Sequence, residues 1–248
     1  MPNSNISVQL YTVRDALASD IPGTLDRLRA IGYTNVELFG FVDHVDSYET
    51  ALASTGISAP SAHALLLGKE LEPIFDAARR LGVGTLIDPD IAASRWTTRE
   101  DIEQAAAELN AVARQAADAG LSVGYHNHSW EVRNRFGSTT ALEIFADSLD
   151  DSVCLEVDTF WVEVGGISAI ELLQILGERV KFLHIKDGAL SEDPDDQVGL
   201  GKGSVDVRGI IAAAPHALRV VELDGSRGDL FVELADSFTY LESTVVAS

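Results

Sequence analysis

A (β/α)₈ TIM barrel, α/β in class, is the fold this sequence predicts, and three observations predict it. Short β-rich runs alternate with helix-patterned stretches along the whole chain, an order that calls for a parallel sheet wrapped by helices. Several runs, such as Val153-Cys154-Leu155 and Leu218 to Val221, are almost continuously apolar, as strands buried on both faces are. The helical stretches stop at Gly in Ile31-Gly32, Thr55-Gly56, Leu81-Gly82 and Ala119-Gly120, where Gly reaches the left-handed conformation without a Cβ clash. No Gly-x-Gly-x-x-Gly follows the first run, so the main signal of a doubly wound sheet is missing.

In chain order, strands are expected over about residues 6–10, 35–39, 58–63, 84–88, 121–126, 153–157, 180–185 and 218–223. Asp20 ahead of Pro22 opens the helix that carries Leu25 and Leu28. From Thr97 to Ala119, the apolar positions Ile102, Ala105, Leu109, Val112 and Ala116 recur at helical spacing. Thr97 with Glu100 reads as a capping box at its start. Glu192-Asp193-Pro194-Asp195-Asp196 reads as a solvated loop after the seventh strand. Gly199-Leu200-Gly201-Lys202-Gly203-Ser204 fails the spacing of a P-loop and reads as a flexible turn before a helix at Val205 to Ala213, with Lys202 within reach of a ligand. Nothing divides the chain, so residues 1–248 are expected to form one barrel domain.

Composition narrows the partners. The chain has 248 residues, 18 basic and 39 acidic, for a net charge of −21. That balance opposes nucleic acid, whose phosphates demand a Lys/Arg footprint, and anionic membranes for the same reason. Cys154 stands alone, which excludes an intrachain disulfide framework and a multi-thiolate metal site. The start Met-Pro-Asn-Ser-Asn lacks a basic segment followed by an apolar one, and no run of about 18 apolar residues occurs. A cytoplasmic protein acting on a small molecule is expected, with self-association left open.

Chemistry in a barrel belongs at the C-terminal ends of the strands. There the sequence places Gln9, Tyr11 and Arg14 after the first strand, Glu37 in the second and His63 at the end of the third. The fifth runs into His126-Asn127-His128-Ser129-Trp130-Glu131, and the sixth into Asp158-Thr159-Phe160-Trp161. The seventh ends His184-Ile185-Lys186-Asp187, and the eighth carries Glu222-Leu223-Asp224. Glu131, Asp158 and Glu222 would converge on one partly desolvated mouth, where uncompensated ions cost several kcal/mol each. Protonation or a bound cation relieves that cost. With His184 they make three carboxylates and an imidazole, a hard donor set suited to Mn²⁺, Mg²⁺ or Co²⁺. Tyr11, Phe39, Phe160 and Trp161 read either as an apolar wall against a sugar ring or as core. Cys154 reads as inert, and His44 and His216 as surface residues.

The phrases Ser7-Val8-Gln9-Leu10-Tyr11-Thr12-Val13-Arg14, Gly124-Tyr125-His126-Asn127-His128 with Glu131, Asp158-Thr159-Phe160-Trp161, His184-Ile185-Lys186-Asp187 and Glu222 resemble the xylose-isomerase-like barrel superfamily, often labelled sugar phosphate isomerase/epimerase. The resemblance implies one divalent metal ion held by Glu131, Asp158, His184 and Glu222, with Mn²⁺ placed ahead of Mg²⁺ and Co²⁺. One departure stands out: ketose 3-epimerases carry a metal-binding Glu at the end of strand five, where this chain has His-Asn-His. A His followed three residues later by Glu is similar to the branch that eliminates groups from 3-keto-glycosides. The resemblance also reaches inosose dehydratases and His-rich, trizinc AP endonucleases, and the charge of −21 opposes the last.

The expected activity is proton abstraction α to a carbonyl of a sugar or keto-sugar, through an enediolate stabilised by the metal. Reprotonation gives an isomerase or epimerase; loss of a β-substituent gives a lyase or dehydratase. His128, ahead of His126, is the expected base, with Glu131 and Glu222 as carboxylate alternatives. Gln9, Tyr11, Arg14, Glu37, His63, Trp161 and Lys186 are expected to bind substrate, which is taken to be unphosphorylated because no phosphate cradle is visible. The rivals are a metal-free glycoside hydrolase with two carboxylates and a sugar-binding protein without catalysis.

Overall fold

Eight parallel strands close on themselves: β1 (Ile6–Gln9), β2 (Asn35–Leu38), β3 (Ser58–His63), β4 (Thr85–Asp88), β5 (Ser122–His126), β6 (Val153–Asp158), β7 (Val180–Ile185) and β8 (Leu218–Val221). Each pairs with its neighbour in sequence, and β1 closes the ring against β8 with Ile6 opposite Arg219 and Val8 opposite Val221. This is the expected (β/α)₈ barrel, seen in a computed structural model that describes residues 5–245. Met1 to Ser4, part of the N-terminal reading, lie outside the described residues. Among these residues no helix is long and apolar enough to cross a membrane.

The helix boundaries follow local chemistry. Asp20 caps Ile21–Ile31 by accepting the Gly23 N–H at 3.0 Å, as expected. Gly56 and Gly82 stop their helices at φ 66° and 73°, in the left-handed region where a Cβ would be strained. The long helix starts later than expected, at Arg99, because Thr98 accepts the Asp101 N–H at 3.1 Å. Thr97 is spent on the preceding turn, donating to the Ser94 carbonyl.

Alternation along the strands decides what fills the barrel, since residues two apart share a face. Ile87, Phe182 and Val220, with Cys154 and Leu218 against them, form a small apolar cluster separate from the main core. One pleat further towards the strands' C-termini, the same faces carry Glu156, His184 and Glu222. Gly124 leaves the space for this packing: a Cβ there would sit 2.8 Å from Cys154 Sγ. Burial pushes the Cys154 thiol up to about 12, which keeps it protonated and inert. His44 and His216 are exposed, as read.

The Gly-rich segment after β7 is ordered by one buried carboxylate. Asp187 Oδ1 accepts the N–H of Gly188 and Val205, and Oδ2 accepts those of Gly201 and Gly203, all at 2.9–3.0 Å. A Cβ on Gly203 would lie 2.2 Å from Asp187 Oδ1, so the backbone can approach only because the residue is Gly. The expected flexible turn is therefore a built loop, and the helix after it begins at Val207, capped by Asp206. Lys202 pairs with Glu233 and Asp236. Asp187→Ala should destabilise the fold by at least about 1–3 kcal/mol, the cost of a buried polar group left without its partner. Urea unfolding measures it, and an unchanged midpoint would contradict this role for the carboxylate.

Candidate functional site

Six strands bring their inward polar residues together. Glu156 Oε2 of β6 lies 2.6 Å from His63 Nε2, 3.1 Å from His126 Nδ1 and 3.1 Å from His184 Nε2. Glu37 Oε1 of β2 lies 2.7 Å from His184 Nε2 and 3.1 Å from His63 Nε2, and it accepts Gln9 Nε2 at 2.8 Å. Burial disfavours charge on these groups, and mutual contacts decide which keep it. For Glu37, burial is outweighed by the charges and hydrogen bonds of His63 and His184, which hold its carboxyl well below the usual range. His63 is likewise carried past its burial by Glu37 and Glu156, up to about 10. His126 goes the other way: burial, then the charges of His184 and His63, hold it well down and therefore neutral.

Two residues further along the strands, a second tier faces the mouth. Glu222 Oε2 lies 2.8 Å from His184 Nδ1, and His126 Nε2 lies 3.8 Å from Asp158 Oδ2. Lys186 Nζ sits among Asp158, Glu222 and Asp224 at 2.7–2.8 Å. Burial penalises the ammonium, but those three carboxylates raise Lys186 well above its ordinary value. Burial raises Asp158, with Lys186 opposing it. Asp158 Oδ1 caps the helix Thr159–Val164 through the Trp161 N–H at 2.9 Å, which leaves Oδ2 for the site.

Two sets of four ligand atoms lie within 4.8 Å of one another: His63, His126, Glu156 and His184, and His126, Asp158, His184 and Glu222. The second set fits a divalent ion better. Each set has two members on the cavity wall, but the second brings two carboxylates, whereas the one carboxylate oxygen at the centre of the first already faces three imidazole nitrogens. The first set then supports the second: Glu156 and Glu37 receive the rear nitrogens of His126 and His184 and fix which nitrogen faces the mouth. Glu156→Gln should weaken binding of an added divalent ion about 10–100-fold and alter the visible spectrum of the Co²⁺-loaded protein. An unchanged affinity with an unchanged spectrum would remove Glu156 from this role.

Several expected site residues are placed differently. Glu131 lies outside both sets, on the short helix Trp130–Arg133. Its Oε1 accepts the Tyr125 hydroxyl at 2.7 Å and its Oε2 the His128 N–H at 2.9 Å, so both oxygens are engaged in holding the end of β5. Lys186 is 1% exposed and spent on carboxylates, which leaves it no free ammonium for substrate. Arg14 donates to the Tyr11 and Asp224 carbonyls and lies 4.1 Å over the Tyr11 ring. Gln9 and Glu37 are buried, and Trp161 lies outside the cavity wall, against Phe160.

The cavity, about 880 Å³, has Tyr11, Phe39, His63, His126, His128 and Trp130 on its wall. His128 stacks on Trp130 at 4.2 Å and 9°. Its Nδ1 has no hydrogen-bond partner, with Glu131 Oε1 3.7 Å away. Glu156 was not among the residues expected in the site. Its two-residue spacing from Asp158 puts both carboxylates on one face of β6, a signal that could have found it.

Comparison with known proteins follows this geometry. A family model described as xylose isomerase-like TIM barrel matches residues 25–217. A sugar phosphate isomerase/epimerase from Parabacteroides distasonis is 25% identical, with TM-score 0.80 over 96% of this chain and 93% of that one. A zinc-bound IOLI protein is 15% identical, TM-score 0.74, over 97% of both chains. A 3-keto-D-glucoside 4-epimerase from E. coli is 14% identical, TM-score 0.70, over 96% of this chain and 99% of that one. No sequence among curated proteins matches. With four-fifths of the barrel inside the family match, from the helix before β2 to the threshold of β8, this chain belongs to the xylose isomerase-like TIM barrel family.

Proposed function

We propose that the protein is a divalent-metal-dependent enzyme that moves a proton α to the carbonyl of a sugar or keto-sugar, as an isomerase or epimerase. The observation that carries the reading is the convergence of His126, Asp158, His184 and Glu222 at the base of a cavity whose wall holds His128. His126 takes the place expected of Glu131 as the fourth ligand, since it belongs to the converging set and Glu131 does not. Two imidazoles and two carboxylates suit first-row ions such as Mn²⁺, Co²⁺ and Zn²⁺ better than Mg²⁺. When bound, such an ion supplies Lewis-acid polarisation of a carbonyl.

The remaining work falls to side chains. His128 takes the proton: it lines the cavity, its ring is fixed by Trp130, and its backbone is held by Glu131. Lys186 neutralises the carboxylates Asp158, Glu222 and Asp224, so that this acidic floor tolerates burial. A second reading, a β-eliminating lyase or dehydratase on a keto-sugar, is favoured by one observation: β5 ends in imidazoles, and the nearest carboxylate is engaged elsewhere.

Incubation with ketoses and 3-keto-glycosides in D₂O, followed by NMR, tests the proposal. Deuterium in a recovered sugar isomer is the expected result. An unsaturated keto-sugar with a released group would move the assignment to the lyase, and no exchange in any substrate would reject both.

A further inference from the structure

The cavity is larger and more apolar at its rim than proton transfer on one sugar ring requires. Its volume of about 880 Å³ belongs to the range that encloses multi-ring ligands, about 300–1,000 Å³. Phe39 and Leu65, 37% and 46% exposed, are conspicuous among the large hydrophobics left open in the described residues, and both line this cavity. The rim is rigid: Tyr11 and Phe39 meet edge to face at 5.0 Å, Arg14 lies over the Tyr11 ring, and Trp130 stacks on His128. Preset flat surfaces of this kind bind rings at low entropic cost.

The cavity wall carries more carboxylates than cations. Asp43, Glu70, Asp90, Glu222 and Asp224 face the cavity against one lysine, Lys69, and no arginine. A phosphate on this wall finds no guanidinium to receive it, and the His63 cation is already paired with Glu37 and Glu156. Polar floor, acidic wall and apolar rim together describe a neutral ligand with one hydrophilic and one apolar end.

We propose that the substrate is an unphosphorylated keto-glycoside whose aglycone is a flat, apolar ring lying along Tyr11, Phe39, Leu65 and Trp130, while the sugar ring that bears the carbonyl sits over His126, His128 and Glu222. Simple glycosides, with a hydroxyl in place of that carbonyl, are non-reacting probes of the same site. This rests on the sugar reading above and specifies its substrate class. Burial of one aromatic ring makes the ring-bearing glycoside bind about tenfold or more tighter than its methyl counterpart.

Calorimetry tests this with methyl and phenyl β-glycosides of glucose, galactose and xylose, and with glucose 6-phosphate, on the full-length protein. The expected result is a phenyl-over-methyl ratio of about tenfold or more for at least one sugar, no binding of the phosphate, and a ratio that falls towards one in Leu65→Ser and Phe39→Ser. The ratio, rather than either affinity, is the readout. Equal binding of phenyl and methyl glycosides overturns the aglycone site alone, as does a ratio that survives both substitutions. Phosphate bound as tightly as the phenyl glycoside overturns the neutral-substrate claim. Binding of no glycoside, with α-proton exchange on a free ketose retained, overturns the aglycone proposal alone, whereas no glycoside binding and no exchange on any ketose or keto-glycoside overturns the sugar reading and the proposal with it.

Discussion

Asp158→Asn is expected to abolish tight binding of the divalent ion and, with it, catalysis. The substitution keeps an oxygen to cap the Trp161 N–H, so the helix Thr159–Val164 retains its start. It removes the carboxylate whose second oxygen faces His126 and Lys186. The loss of affinity should exceed the roughly 10–100-fold that follows loss of a supporting residue such as Glu156. Stability reports it independently of activity. A native-state ion at 100 times its dissociation constant stabilises by about 2.7 kcal/mol, so wild-type protein should melt higher with metal and the variant should not. Equal stabilisation of both proteins by the ion would remove Asp158 from the ligand set.

His128→Ala should have the opposite profile, with metal retained and proton transfer lost. A positioned base contributes about 10²–10⁴-fold, and exchange of the substrate's α-proton with D₂O should fall by that much. The ligand atoms of His126, Asp158, His184 and Glu222 do not include His128, so elemental content should stay at the wild-type level. Glu222 is a poor rival for the base. Burial works against its charge, but Lys186 and His184 outweigh burial and hold its carboxyl far below the usual range, where it accepts a proton weakly. Unimpaired exchange in His128→Ala would nevertheless return the proton to a carboxylate.

Much of this could be read from the sequence, for physical reasons that also mark where reading stops. The strands were legible because burial on both faces forces continuous apolar runs, and the helix ends because Gly56 and Gly82 occupy conformations other residues avoid. Asp158, His184 and Glu222 were legible as members of one inward cluster because a polar residue at the inward C-terminal end of a barrel strand has little structural reason to be there. Glu131 misled because spacing gives the distance along the chain and not the direction of a side chain. The short helix after β5 turns its carboxylate back onto Tyr125 and His128. His126, the last residue of β5, is the one that clusters with Asp158, His184 and Glu222. Lys186 and Arg14 look like substrate cations in sequence, yet both meet Asp224, which reaches Lys186 from the end of the neighbouring β8 and Arg14 through closure of β8 on β1.

The most direct test of the central claim is a crystal structure of the purified protein with anomalous diffraction recorded across the absorption edge of the metal found by elemental analysis. The account predicts one anomalous peak per chain, bounded by His126, Asp158, His184 and Glu222, with Glu131 still bonded to Tyr125 and His128. A peak liganded by Glu131, or a full-length active protein with no peak between these four side chains, would contradict it.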